Sequence, residues 1–437
     1  MLGDTAMGLV DTKLVAGLGA NALGGVGVAM TIMWLQYSIV FGLMRGVKVR
    51  TAHAVGEQRR DHAFAYAQAG ILLAFWAGST IWLLSRDATW LFVRLGIDPA
   101  TVPYARDFLA ARTWGALSIC VISAMVQYRQ GLGDSRNPMI GGLLANAINV
   151  VLAWALIYGH FGLPALGVKG AGYGTAIAET VEAAFLLWIA FRDRPDRKPL
   201  LPMRQALSEV SSLGVPTGLQ FGLEMLAFST FTAILGGLGA HEIAAHQVAM
   251  TIIRTSFLPG IAVSEAASVL VGRSLGERDL AKADAVTRTS LGLAVGFMSI
   301  CGVVFAVFGG RIAAQFTHEA DVVNVVRRLL LVAALFQTFD AITIVLRGAL
   351  RGAKDVRPVM LIGVGVAWVC IPGAAFVFGK ALGLGAVGGW FGFVAETTLA
   401  SSLFWLRWTR GAWRARYAPD DARPAPLVGA APAVEPA

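Results

Sequence analysis

Three carboxylates lie inside long apolar runs, where a water-soluble protein has little use for them: Asp11, Glu224 and Asp340. An ionisable side chain at the centre of a membrane-spanning helix costs about 2.5–3.5 kcal/mol on insertion scales, so it is a functional candidate from the outset. Asp340 stands twelve residues after Arg328 and seven before Arg347. At the helical rise it is about 18 Å and about 10 Å from those flanking charges, which is deep within a bilayer. Glu224 lies fifteen residues after Glu209 and twelve before Gly236, and Asp11 lies eight before Gly19. Burial disfavours the charged form of a carboxylate, so such a group can take a proton from one side of a membrane and release it on the other. The competing role for each is structural, a carboxylate that ties helices together. Asp4, seven residues before Asp11, shares its helix face and is a further candidate.

The elements that hold these groups follow from composition. Only 14% of the 437 residues are charged and 56% are hydrophobic, against roughly 25% charged in a soluble protein, which excludes the soluble class. A span needs about 20 mostly apolar residues. Runs of that kind fall near 1–17, 22–46, 63–84, 105–128, 138–158 and 171–191, and again near 208–236, 243–271, 286–308, 329–346, 357–378 and 386–407. The expectation is an all-α polytopic membrane protein with twelve transmembrane helices. No basic region and small-residue cleavage site precede the first run, which is therefore expected to be a span and no secretory signal. Cys120, Cys301 and Cys370 lie in apolar segments as packing residues, and three cysteines exclude a disulfide scaffold.

Basic residues set the orientation. With a cytoplasmic N-terminus, most of the 36 Lys and Arg fall in inner links, among them Arg45, Lys48, Arg50, Arg59 and Arg60, then Arg273, Arg278, Lys282 and Arg288, then Arg407, Arg410, Arg414 and Arg416. Both termini are then cytoplasmic, and topology accounts for the net charge of +9 without a nucleic-acid partner.

The chain also repeats itself. Residues 17–32 (GLGANALGGVGVAMTI) and 237–252 (GLGAHEIAAHQVAMTI) match at nine of sixteen positions, at an offset of 220. The same offset carries Gly56-Glu57 onto Gly276-Glu277, and Asp134 followed by Arg136 and Pro138 is echoed by Asp355, Arg357 and Pro358. Ala178-Glu179-Thr180 is echoed by Ala395-Glu396-Thr397. The expected organisation is a six-helix N-lobe over 1–198, a six-helix C-lobe over 199–410 and a disordered cytoplasmic tail over 411–437. Six is even, so the two pseudo-symmetric bundles form a parallel repeat, the architecture of lobes that rock for alternating access.

These motifs resemble the multidrug and toxin extrusion (MATE) family, in its NorM/DinF-like branch. The resemblance rests on Val10-Asp11-Thr12 ahead of Gly17-Leu18-Gly19, on Gly214-Val215-Pro216-Thr217 with Glu224, on Ala244-Ala245-His246-Gln247, on Gly131-Leu132-Gly133-Asp134 with Pro138, and on Leu346-Arg347-Gly348-Ala349-Leu350-Arg351-Gly352 followed by Asp355. It spans nearly the whole chain to about residue 410. It implies two six-helix bundles that export organic compounds against an inward flow of protons or sodium ions, with Asp11, Glu224 and Asp340 as coupling groups. Two positions depart from the pattern. Many proton-coupled relatives follow Asn149 four residues later with Asp, where this chain has Ala153, so Asn149 is left as Asp11's partner. Sodium-type relatives carry Tyr one turn before the C-lobe Asp, where this chain has Phe336. Losing that hydroxyl removes an oxygen ligand that a hard cation wants, which tilts the expectation towards protons.

At the offset of 220 Asp4 falls on Glu224, but only three residues precede Asp4. The first span is thus expected to be short by about a dozen residues relative to its repeat partner, with the true start upstream or the chain truncated. His241-Glu242 with His246 is not a metalloprotease motif, because that motif needs two His four apart on one face and here they are five apart. His246 and Gln247 are expected to face a neighbouring helix or the central cavity. Arg254 and Glu265, eleven residues apart on one face, are expected to pair at the cavity wall, and Glu179 and Glu396 to pair with other helices.

The function expected is a secondary antiporter of hydrophobic or cationic organic compounds in the cell inner membrane. It needs no cofactor beyond H+ or Na+, no metal, and no partner beyond a small organic substrate and lipids, and it acts as a monomer. A lipid or polysaccharide-precursor flippase of the same superfold is the alternative. A membrane enzyme lacks support in His, Cys or metal motifs at depth. The major-facilitator signature in the second-to-third link is replaced by Gly56-Glu57-Gln58-Arg59-Arg60-Asp61.

Overall fold

The computed structural model describes residues 2–86, 89–94, 96–195, 201–317 and 319–417. Twelve long helical segments run through them: α1 (Leu2–Ala16), α2 (Ala20–Gly56), α3 (Arg60–Ser85), α4 (Val102–Gly131), α5 (Arg136–Tyr158) and α6 (Val168–Arg192), then α7 (Met203–Gly236), α8 (Ala240–Gly276), α9 (Leu280–Ala313), α10 (Ala320–Gly352), α11 (Val356–Ala381) and α12 (Gly385–Arg410). A single 3-10 turn, Thr113–Gly115, interrupts α4, and α11 ends in a π-turn over Ala375–Ala381. A short helix, Thr89–Arg94, precedes α4. Ten of the helices are long and apolar enough to cross a bilayer by length and composition. With 15 residues, α1 reaches about 22 Å, less than the roughly 30 Å hydrocarbon core.

Every expected span coincides with a helix, and most helices run past it. The second run, expected near 22–46, extends to Gly56 because Lys48, Arg50 and His53 continue the helix beyond its apolar part. The largest core, with Val26, Met44, Phe108, Cys120 and Met125, fills the first six helices and runs on to Ala206 and Val210 of α7; others hold Phe231, Trp390 and Phe336 or Leu346, Val359 and Phe404 from the last six, and Val49 packs with Leu213 and Val356 across the halves.

The repeat is legible in backbone conformation. Four links turn through a residue at positive φ, namely Gln58 (60°), Gly133 (87°), Arg278 (58°) and Lys354 (60°). Each turn is closed by the same hydrogen bond from the next amide to the carbonyl five residues back: Arg59 to Ala54, Asp134 to Arg129, Asp279 to Ser274 and Asp355 to Leu350, all 2.8–3.0 Å. This is the Schellman closure of a helix C-terminus, and these four fall at corresponding places in the two halves; α5 ends the same way at Gly159, with His160 to Ala155 at 3.0 Å.

The two lobes meet along a seam of backbone. A Cβ on Gly42 would lie 2.6 Å from the Thr217 carbonyl, and one on Gly218 would lie 2.6 Å from the Ile39 carbonyl. Gly46 against Val210, Gly214 against Leu43, Gly56 against Arg273 and Gly276 against His53 approach closer still. Small residues let helix backbones touch in this way. Around them, Arg45 and Lys48 of α2 pair with Glu265 of α8, Arg50 and Tyr66 reach Glu209 of α7, and His53 hydrogen-bonds the Gly352 carbonyl at 2.8 Å. These interlobe contacts fall between Ile39 and Tyr66, at the end of the bundle where α2 turns into α3. The other half of α2 makes none of them.

Of the segment expected to be a disordered tail, residues 418–437 lie outside those described. Gly411–Tyr417 is ordered, which corrects the boundary. Trp413 is fully buried 4.6 Å from Trp408, its Nε1 donates to the Arg407 carbonyl, and Arg414 pairs with Asp284 at 2.5 Å. The burial of one indole and one ion pair outweighs the polar composition of the stretch.

Candidate functional sites in the two lobes

In the N-lobe, Asp11 of α1 is 6% exposed. The Thr175 hydroxyl on α6 lies 3.0 Å from its Oδ2 and equally 3.0 Å from the Ala171 carbonyl, so one proton serves two acceptors. Asn149 of α5, fully buried, donates its Nδ2 to the same hydroxyl at 3.0 Å. That leaves Asp11 Oδ1 and Asn149 Oδ1 as buried acceptors with no donor among the described residues. A buried polar group left without a partner costs about 1–3 kcal/mol, and here two share one network. The nearest guanidinium, Arg112 of α4, is engaged elsewhere: it grips both carboxylate oxygens of Glu179, Nη1 to Oε2 at 2.7 Å, and lies over the Tyr37 ring. Glu179 is one turn from Thr175, so α6 carries both on one face. Glu179 thus pairs with another helix, as expected. Asp4 lies in α1, but its side chain falls outside those described.

In the C-lobe the acids gather around one arginine. Arg347 of α10 lies 3.1 Å from Glu224 on α7 and 3.9 Å from Glu396 on α12. Gln220, one turn before Glu224, donates to it at 2.9 Å and accepts from Arg351 at 3.0 Å. Asp340, two turns before Arg347, is 9% exposed and within electrostatic reach of Glu396 and Arg347. One turn further along, Phe336 sits among Phe393 (6.0 Å) and Trp390 (6.5 Å), so Asp340 lies at the foot of an aromatic cluster.

His246 faces α12. It is buried, accepts the Trp390 indole proton on Nδ1 at 3.2 Å and lies 5.4 Å from the Phe231 ring. Gln247 is exposed, as is Arg254 seven residues on. The expected pair of Arg254 with Glu265 does not form. Eleven residues separate them by about 16 Å along the axis, and Glu265 turns instead to Arg45 (2.6 Å) and Lys48 on α2. By spacing Glu265 shares a face with Gln247 and Arg254, although Pro259 lies between them in α8.

Three members of these networks were not singled out from sequence. Arg112 carries the same signal as Asp11, a charge within an apolar run. Thr175 stands four residues before Glu179. Lys48 was counted only as an orientation charge, yet its side chain is 1% exposed. Among the described residues, no group of three or more His, Cys, Asp or Glu is arranged to hold a metal.

With this geometry in view, comparisons place the chain among known proteins. The sequence model described as MatE matches residues 1–155 and 216–376. The chain is 28% identical to the probable multidrug resistance protein NorM of Thermotoga maritima, over 94% of this chain and 89% of that one. It is 30% identical to the multidrug resistance protein MdtK of Yersinia enterocolitica, over 93% and 91%. A solved structure described as the outward-facing conformation of a multidrug resistance MATE family transporter of the MOP superfamily superposes with a TM-score of 0.85 at 21% identity, covering 95% of this chain and 92% of the other. A MOP superfamily transporter from Pyrococcus furiosus, whose binding pocket is described as reversed in polarity, gives 0.85 at 22%, covering the same shares. The relatives are named multidrug resistance proteins, and the chain is a multi-pass membrane protein, not an enzyme, with the fold of the solved MATE transporters.

Proposed function

The chain belongs to the MatE family, and on that premise we propose that it is a secondary active antiporter exporting hydrophobic or cationic organic compounds in exchange for entering protons. The observation that carries the reading is the donor deficit at Asp11. Two buried acceptors, Asp11 Oδ1 and Asn149 Oδ1, have nothing to accept. A proton bound by Asp11 removes its charge and adds the missing donor. Sodium is the competing occupant. It needs several oxygens, and beside Asp340 the chain offers the phenyl ring of Phe336.

The basic links put the α2–α3 end of the bundle in the cytoplasm, with both termini there, in the inner membrane. The glycine seam then closes the inner side and the cleft opens outwards. In this cycle substrate leaves through the open cleft, and protons entering by the same route reach Asp11, with Glu224 and Asp340 in the other lobe. Neutralising these groups favours parting of the seam, and the protons leave inside as new substrate loads. The N-lobe and C-lobe move as units of 1–198 and 199–410, each acting within one monomer.

Proteoliposomes with separately imposed pH and sodium gradients test this, using a panel of cationic dyes. Dye movement driven by a pH gradient alone is the expected result. Movement driven by sodium alone would transfer the coupling to sodium, and movement driven by neither would overturn the antiport reading.

A further inference from the structure

At the closed end of the seam, bounded by the start of α3, the start of α7 and the link from α10 to α11, lies a cavity of about 170 Å³. One water needs roughly 10–15 Å³ on such a measure, so the space is ample for a phosphate group. Its walls are almost wholly polar and come from both lobes.

The charges on those walls do not balance. Arg50 is taken up by Glu209, with Nη1 to Oε2 at 3.1 Å and Nε to the backbone carbonyl at 3.3 Å. Glu209 is served twice more, by Tyr66 at 2.5 Å and Gln205 at 3.0 Å. Lys354 is left over. Its ammonium makes no hydrogen bond or ion pair among the described residues, although its backbone is held at φ 60° in the turn. The charged groups around it are Arg50 and Arg416, which repel, and Glu57 and Glu209, which attract. Burial first, and then Arg50, hold its amine down at about 8. Arg59, at the rim, also lacks an ion-pair partner among the described residues. The first turns of α3 and α7 open onto the same space through His62 and Gln205, and helix N-termini carry partial positive charge that favours an anion.

We propose that this cavity binds a phosphate-bearing anion, held by Lys354 from the C-lobe and by Arg59 and His62 from the N-lobe. The anion bridges the lobes where they touch. Parting the seam divides the cavity, so the anion binds the closed seam better than the open one and shifts the equilibrium towards it. The phosphate is carried either by a phospholipid headgroup or by a free ion, and the two sources are separable.

The test uses the full chain. In detergent, thermal unfolding is followed with added inorganic phosphate against chloride at equal ionic strength. In nanodiscs, phosphatidylcholine alone is compared with phosphatidylcholine plus phosphatidylglycerol. A rise in Tm with phosphate in detergent identifies the free ion, and a rise only with phosphatidylglycerol identifies the headgroup. In either case Lys354→Gln is expected to weaken the response about tenfold, the scale of one charge-assisted hydrogen bond, while Lys354→Arg keeps it. Arg59→Gln serves as the second variant if Lys354→Gln does not fold. The Tm readout needs neither an ion gradient nor a dye, which separates this site from the coupling reading. The proposal is overturned if neither phosphate nor phosphatidylglycerol exceeds its control, or if Lys354→Gln and Arg59→Gln respond as fully as the parent.

Discussion

The N-lobe and the C-lobe share a fold but not a way of handling buried charge. Each keeps the glutamate of its Ala-Glu-Thr motif against an arginine from the fourth helix of its half: Glu179 with Arg112, and Glu396 with Arg347. In the N-lobe that pair is bidentate, and Asp11 lies in the field of Arg112 without pairing to it, hydrogen-bonded to a hydroxyl that it shares with a carbonyl. In the C-lobe Arg347 is divided among Glu224, Glu396 and the field of Asp340, at longer distances. The position matching Asp11 at the offset of 220 is Phe231, a core aromatic. Duplication therefore preserved the turns and the helix packing, while the carboxylates moved. One lobe holds a single carboxylate apart from its ion pair, and the other pools several acids around one cation.

The sharpest way to break this contrast is to neutralise each acid. Asp11→Asn should reduce proton-driven dye export by roughly 100-fold or more, the scale of losing an essential proton-transfer group. Asp340→Asn should reduce it less, by roughly tenfold, because Glu224 and Glu396 remain beside Arg347. Efflux assays at matched expression decide it, and equal losses would mean that the lobes act as one unit. Unchanged export in both variants would remove the coupling role altogether.

A smaller effect is expected from the arginines, read as thermal stability in detergent. Arg112→Gln leaves Glu179 buried without its bidentate partner and should cost about 3–5 kcal/mol. Arg347→Gln breaks a looser arrangement and should cost about 1.5–3 kcal/mol, the worth of a hydrogen bond to a charged group. A reversed order would sink the distinction between isolated and pooled charge.

The turns give the next scale. Gly133 and Lys354 occupy matching links at positive φ, and a Cβ on Gly133 would meet nothing within 4 Å. The cost of a side chain there is backbone strain alone. Gly133→Ala should destabilise by about 1 kcal/mol and Lys354→Gly should stabilise by about as much. If both substitutions shift Tm in the same direction, the two links are not equivalent.

The smallest effect is on the acid limb of stability. Burial pushes the Asp134 carboxyl up, but hydrogen bonds from Asn137 and Arg129 outweigh it and hold the group below its ordinary value. Its contribution is therefore present above the unfolded value of about 3.9 and lost as pH falls through the lower folded value. Asp134→Asn should flatten stability across that window by a fraction of a kcal/mol, and an unaltered pH profile would contradict it.

Much of the fold was legible in the sequence, because apolar length is what a bilayer selects. The helix ends were not, since α2 and α8 carry charged turns past the apolar part and a hydropathy pattern stops at the first charge. Asp11 was legible as a charge within an apolar run, and Asn149 through the family resemblance, whereas Thr175, which joins them, carried no signal of its own. Glu265 was placed correctly on a face and given the wrong partner. One helix reveals which residues share a side, but not which helix stands opposite, and Arg45 and Lys48 belong to a different lobe. Arg112 was equally visible by its type and was passed over because it lies near the end of an apolar run.

The glycine seam has a consequence for how this transporter can diversify. Where carbonyls touch Cα atoms, side-chain identity carries no information, and any added carbon is a collision. Exposed positions such as Gln247 and Arg254 lie outside that contact and can drift without disturbing it. A mutational scan of the chain should show a narrow intolerant line through Gly42, Gly46, Gly56, Gly214, Gly218 and Gly276, bordered by permissive surface. Contact between the halves and variation of the exposed surface are in that sense inherited on separate residues.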